Sequence, residues 1–215
     1  MQLHKDKTKF FITDLKREKK YDYKSYTRND GQGPRTYNVG EKKIPSVTTI
    51  LSATQSEERR KKLDEWRARE GYKQAQAITN QAARRGTEMH YVLEQYINGV
   101  GYLNLSEEGA HARMMAHEII VNLEPLKVVW GNEVSLAYKD QWAGSTDVVG
   151  VHSDKPYQIA AYSLAHKEQY GPIEQGLICI CTKDKLYQEF KMDKVMLEEY
   201  EKKWFERVKK YYSKI

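Results

Sequence analysis

Cysteine is scarce in this chain of 215 residues: there are two, Cys179 and Cys181. Two thiols cannot build a zinc cage without histidines close by, and an iron–sulfur cluster needs more of them. Their i, i+2 spacing inside an apolar run puts both side chains on one face of a strand, as small packing residues. Long hydrophobic runs are also missing. The run from Gly176 to Cys181 falls far short of the ~20 apolar residues that cross a bilayer. The first residues, Met1-Gln2-Leu3-His4-Lys5-Asp6, lack the apolar core of a signal peptide. There is no internal repeat and no low-complexity tract. Together these absences predict a cytoplasmic protein with no membrane partner.

What is present suits one sizeable α/β domain spanning 1–215, with its own core. Hydrophobic residues make up 40% of the chain and charged residues 31%, an ordinary balance for a globular protein. Lys and Arg outnumber Asp and Glu by 36 to 30, a net charge of +6 that tilts toward an anionic partner. The first stretch, about 1–44, interleaves cations with aromatics: Arg17, Lys19, Lys20, Tyr21, Tyr23, Lys24, Tyr26, Arg28, Arg35 and Tyr37. Cations meet phosphates and rings offer stacking faces, which suits single-stranded nucleic acid. A solvated hairpin that happens to be basic is the other reading, because tyrosine also favours strands.

Gly31-Gln32-Gly33-Pro34 predicts a turn between two short strands. Thr54-Gln55-Ser56-Glu57 matches a capping box, with Thr54 capping a helix that stops near Gly71. That helix is mostly charged (Arg59, Arg60, Lys61, Lys62, Arg67, Arg69), either as a solvated face or as an edge toward nucleic acid. A second helix is expected over Tyr72 to Asn98, with a break near Gly86, and a third over Glu107 to Leu123. The period then changes to two. Val128 to Tyr138 and Trp142 to Val151 read as antiparallel strands joined at Lys139-Asp140-Gln141. A turn at His152 to Pro156 leads into a helix from Tyr157 to about Tyr170. Strands at Gly176 to Thr182 and Tyr187 to Met192 precede a last helix from Asp193 to Tyr212. The order implies an α/β sandwich around a small mixed sheet.

Four groups of residues carry candidate chemistry. Arg85 precedes Gly86, and Thr87, His90 and Glu94 share a helical face. Gly86 would let a backbone or ligand approach. Asp147 interrupts an apolar strand, Gly144-Ser145-Thr146-Asp147-Val148-Val149, on the same face as Ser145 and Val149. A carboxylate there must be paired, hydrogen-bonded or bound to a cation. Gln158 and Tyr162 share a helical face. Glu133, on the preceding strand, is a second acid, read either as a ligand or as a solvated strand residue.

Taken in order, these pieces resemble the PD-(D/E)XK nuclease superfamily in its RecB-like branch, and within it small phage exonucleases related to the mitochondrial genome maintenance exonuclease. Pro45-Ser46-Val47-Thr48-Thr49-Ile50-Leu51 resembles their PSVTTIL signature, and Arg85 to His90 their RGTxxH helix. Gly144 to Asp147 resembles the strand of the first acid, and Gln158 with Tyr162 the QxxxY helix. The likeness runs from about Pro45 to the C-terminus. It implies a restriction-endonuclease-like core, a mixed β-sheet flanked by helices. It also implies metal-dependent exonucleolytic hydrolysis of phosphodiester bonds at single-stranded DNA or DNA ends, in the host cytoplasm if phage-encoded.

By that resemblance His90 and Asp147 are metal ligands for Mg²⁺ or Mn²⁺, and Gln158 and Tyr162 position the DNA end or the attacking water. Lys19, Lys20, Tyr21, Tyr23, Arg59, Arg60, Arg84 and Arg85 are the DNA-contacting candidates. A phosphodiester is anionic and repels hydroxide, so the chemistry needs cations held by oxygen ligands. One element of the pattern is missing. The next strand, carrying Asp or Glu, any residue, then Lys, belongs between Pro156 and Tyr157, which are adjacent here. The second acid and the lysine go with it. A catalytically inactive DNA-binding relative of such nucleases is therefore the alternative reading.

Overall fold

A computed structural model describes residues 15–100, 102, 104–123, 126–152, 155–157 and 160–214. In chain order the strands and helices are β1 (Lys16–Arg17), β2 (Thr27–Asn29), β3 (Thr36–Val39), β4 (Lys42–Pro45), α1 (Val47–Ala53), α2 (Glu57–Glu70), α3 (Tyr72–Asn98) and α4 (Glu107–Asn122). They continue with β5 (Leu126–Tyr138), β6 (Trp142–His152), β7 (Lys155–Tyr157), α5 (Ala160–Gln169), β8 (Gly176–Cys181), β9 (Tyr187–Met192) and α6 (Lys194–Tyr212). The fold is mixed α/β, with a four-stranded sheet in the order β1-β5-β6-β7, a three-stranded sheet β2-β3-β4 and the pair β8-β9. The four-stranded sheet is itself mixed. β1 runs parallel to β5, and β5, β6 and β7 are antiparallel in turn.

The chain divides into two compact units. One is helical and comprises Gln55–Leu123 with Ile180–Tyr187; the other holds the described parts of Asp14–Thr54, Glu124–Cys179 and Gln188–Ile215. In the helical unit, α2 has no buried residue. A helix that is polar all round holds by its caps and by side-chain pairs. The Ser56 hydroxyl accepts the Arg59 amide at 3.2 Å, and Lys62 meets Glu58 one turn back at 2.6 Å. Ser56 is thus the N-cap, not Thr54. Thr54 instead closes α1, its hydroxyl donating to the Ile50 carbonyl at 2.6 Å. α3 continues through Gly86 without a break and ends at Gly99, whose φ of 71° is the left-handed conformation that glycine adopts at no steric cost. Its buried residues Met89, Val92 and Ile97, together with Ala112, Met115, Ala116, Ile119 and Ile120 of α4, form the core of this unit.

In the sheet unit, α1 starts at Ser46, whose hydroxyl accepts the Thr49 amide at 3.0 Å. Val47 and Ile50 of α1 pack with Trp142, Ala161, Leu164, Trp204 and Val208. Thus α1, α5 and α6 meet β6 in one cluster. The β2-β3-β4 sheet contributes Tyr37 and Ile44 to a second cluster, against Ala137 and Ala143. Alternate residues of β5 and β6 therefore face different partners, as the pleat requires.

A third cluster explains part of the basic N-terminal stretch. Tyr21 and Tyr23 surround His166 with Tyr170, at ring separations of 5.1, 5.9 and 5.5 Å from the imidazole. His166 is 0% exposed. Its Nδ1 donates to the Gly171 carbonyl at 2.8 Å, which leaves Nε2 to accept from the Tyr23 hydroxyl at 3.1 Å. Burial pushes the His166 pKa below its ordinary 6.5, and the nearby Lys20 ammonium pushes the same way, against the Gly171 hydrogen bond. A lowered histidine pKa means that the unfolded chain binds the proton more readily. Stability is then full above about pH 6.5 and falls as pH drops from there to the lower folded value. Between about pH 7.5 and about pH 5.5 the wild type should lose several degrees more in Tm than His166→Gln does, measured by circular dichroism. Equal losses in the two proteins would show that His166 is not the group responsible.

The region after β6 departs from expectation. Instead of a turn running into a helix at Tyr157, Lys155–Tyr157 forms a short strand, with Gly150 opposite Tyr157 and His152 opposite Lys155. The helix begins at Ala160. No local pattern marks three residues as a strand; β7 exists because β6 offers it an edge.

Candidate functional site

β5 and β6 place two acids across from each other. Asn132 opposes Val148 and Val134 opposes Thr146, so Glu133 lies opposite Asp147. Both side chains are exposed. The Ser145 hydroxyl donates to Glu133 Oε2 at 3.3 Å. Glu133 has φ of 50°, in the left-handed region that a glutamate adopts at a cost. The alternation along β6 changes phase beside it. Trp142 and Gly144 meet the helices, and strict alternation would turn Val149, five residues after Gly144, away from them. Yet Val149 is fully buried in the cluster of Leu136 and the α5 residue Ala165. Asp147 sits at this irregularity, not on a regular face with Val149.

α5 brings Tyr162 to the same strands. Its ring lies so close to Gly144 that a Cβ there would be 2.7 Å from Cε1 and 3.1 Å from Oη. Glycine is required at 144 for that approach. The Tyr162 hydroxyl has its pKa pushed up strongly, first by burial and then by the charges of Tyr37, Asp147 and Glu133, with Arg35 opposing. Tyr162 therefore stays a neutral phenol, a hydrogen-bond donor near two carboxylates. Arg35 reaches this neighbourhood from the loop before β3, and its Nε pairs with Asp30 at 2.6 Å. Arg35 and Tyr37 belong to the basic aromatic stretch of the sequence, but nothing in the sequence marks them as neighbours of Tyr162. The β2-β3-β4 sheet puts them there. Gln158 lies outside the described residues.

The donor set is short of what a resident Mg²⁺ or Mn²⁺ needs. Such ions take six or more oxygens, some from water, with carboxylates as anchors. Glu133 and Asp147 supply two carboxylates. Among the described residues no group of three His, Cys, Asp or Glu comes together. The side chains present in the described structure do not fit a metal centre.

The RGTxxH residues lie in the helical unit. His90 and Thr87 are exposed on α3, and Glu94 is half-buried. A Cβ added to Gly86 would meet nothing within 4 Å. Glu88 accepts hydrogen bonds from the Tyr102 hydroxyl and from Asn104 Nδ2, each at 2.8 Å. Arg84 and Arg85 line a cleft of about 440 Å³ with Gln81, Ser106, Glu107, Glu108 and His111. Arg84 already faces Glu108 at 3.5 Å. His90 belongs to this unit and Asp147 to the sheet unit.

The other basic candidates are distributed as follows. Arg59 and Arg60 are exposed on α2, with Arg60 donating to the Gln55 carbonyl at 3.3 Å. Lys19 pairs with Asp22 at 2.9 Å. Lys20 stands 3.6 Å over the Trp130 ring. Tyr21 and Tyr23 spend much of their surface on His166 and Tyr170. No protein-family model matches the chain, and no curated protein does.

Proposed function

We propose that this chain is a DNA-binding protein descended from metal-dependent exonucleases of the PD-(D/E)XK superfamily, engaging single-stranded DNA or DNA ends, with little hydrolytic activity left. The observation that carries the reading is the meeting of Glu133, Asp147 and Tyr162. Asp147 and Tyr162 come from the strand and the following helix that the resemblance pairs, and Glu133 adds a second acid from the preceding strand. A restriction-endonuclease-like core is proposed on the same ground, from the mixed sheet with α5 and α6 packed against β6. Two features favour the inactive form. β7, in the place of the strand that should bring the second acid and the lysine, is three residues long. Among the described residues the carboxylates that meet there number two, where a metal centre asks for more.

On this reading the chain's cations hold phosphates, and Tyr162 offers a neutral hydroxyl to an anionic oxygen. Binding to a fluorescein-labelled single-stranded oligonucleotide should then weaken steeply as salt rises, because each phosphate contact releases counterions. Fluorescence anisotropy at about 50 and about 200 mM salt should give affinities at least tenfold apart. No binding at low salt would remove both the exonuclease reading and its inactive alternative.

A further inference from the structure

We propose that a second nucleic-acid surface lies in the sheet unit, in the cleft between β4, the β5–β6 turn and the end of α6. It would take single-stranded nucleic acid, with phosphates on Lys43 and Lys209 and a base against Tyr212. The proposal rests on the partner class proposed above, and it concerns residues outside the Glu133–Asp147–Tyr162 cluster. The cleft has a volume of about 440 Å³ and is lined by Lys42, Lys43, Pro45, Asp140, Tyr211 and Tyr212, with Thr36 and Ile44. That volume is within the range of sites that hold a small ligand, roughly 300–1,000 Å³.

Its charge is positive once internal pairs are removed. Lys42 and Asp140 form an ion pair. Lys43, Lys209 and Lys210 form none among the described residues. Lys209 precedes Tyr212 by three residues, which puts the two on one side of α6. Cations at a helix C-terminus are also favoured by the helix dipole, and that alone would account for Lys209 and Lys210. It does not account for Lys43, which sits on a strand, nor for the tyrosines.

Tyr212 is 42% exposed, yet its hydroxyl is held by a 2.8 Å hydrogen bond to the Gln141 carbonyl. Tyr211 stands edge-on to it, with ring centroids 5.2 Å apart and planes at 89°. A ring that is partly exposed and fixed at its tip presents a stacking surface at little cost in side-chain freedom. An acidic polypeptide would use the lysines but gain little from that ring. A nucleic acid uses both.

The test uses the full chain, a fluorescein-labelled oligo(dT) and anisotropy at several salt concentrations. Lys43→Glu/Lys209→Glu should weaken binding at least tenfold and flatten the log–log salt dependence by about 1.4, about 0.7 for each lost phosphate contact. Tyr212→Leu should weaken binding roughly tenfold with the salt dependence unchanged, while Tyr212→Phe, which keeps the ring, should stay close to wild type. Circular dichroism melts identify any variant that has lost its fold, and the three variants, all at exposed positions, back each other up. Wild-type binding that none of the variants alters would overturn the proposal and leave the DNA-binding reading standing. Competition by poly-glutamate as strong as by unlabelled oligonucleotide would make this an acidic-polypeptide site and equally overturn it. Absence of any binding by the wild type would defeat the broader reading first.

Discussion

Replacing Trp142 by alanine is expected to destabilise the sheet unit by about 3–5 kcal/mol, a cost typical of deleting a large aromatic from a packed core. Trp142 is completely buried. It stacks on Tyr138 at 4.3 Å with the planes 10° apart, and it meets Trp204 and Phe205 edge-on at 5.5 and 5.7 Å. Its indole N–H donates to the Ala161 carbonyl at 3.3 Å. One side chain therefore ties β6 to α5, α6 and α1. Alanine would leave a cavity with rigid walls and remove the indole's hydrogen bond to the first turn of α5. Native proteins hold roughly 5–15 kcal/mol in total, so such a loss is a large fraction of the whole. Urea unfolding followed by tryptophan fluorescence and circular dichroism measures it. A midpoint within error of wild type would show that the cluster does not hold the unit together.

The second large effect is on hydrolysis. The wild-type chain should release almost no acid-soluble nucleotide from end-labelled single-stranded DNA in Mg²⁺ or Mn²⁺. Inserting a strand of the form apolar-apolar-Asp-x-Lys between Pro156 and Tyr157, with a connecting segment, should raise release by several orders of magnitude, as expected for groups that act as a unit. The register gives the reason. β7 pairs antiparallel to β6 from His152 back to Gly150, so each residue added to β7 steps one residue toward Asp147. An acid that the connecting segment brings opposite Asp147 would share its face and add its oxygens to those of Asp147 and Glu133, and the lysine would add a positive charge for the developing one. The longer strand should also raise Tm by pairing more of β6. Robust turnover by the unmodified chain, lost in Asp147→Ala, would sink the claim that the strand is indispensable.

Long elements with a strong period were legible in the sequence. α3, α4, α6 and the β5–β6 pair lie within two residues of where the periodicity puts them, because each carries its own pattern and caps. The turn at Gly31 to Pro34 was legible too, between strands at Thr27–Asn29 and Thr36–Val39. Errors came where two local signals compete. Thr54 and Ser56 both suit a cap, and the choice of Ser56 depends on α1, which takes Thr54 for its own end. β7 carries no signal, since its pairing with β6 is long-range. The site was legible in part. Asp147 stands out as an acid in an apolar strand and Glu133 as a second acid on the preceding strand, whereas Tyr162 is singled out only by the resemblance, because a tyrosine at helical spacing is usually core. The role of Gly144 as the floor under Tyr162, and the nearness of Arg35, depend on how α5 and the β2-β3-β4 sheet dock. No spacing along the chain encodes that.

The four-stranded sheet ends on both sides in fragments. β1 is two residues, Lys16–Arg17, and β7 is three, with Pro156 at its centre. A strand can recruit another copy only if it offers a long row of free amides and carbonyls. Two adjacent like charges on one border disfavour the approach of an identical border, and a proline on the other removes a donor from a row already too short to set a register. Neither fragment is thus a template for head-on polymerisation.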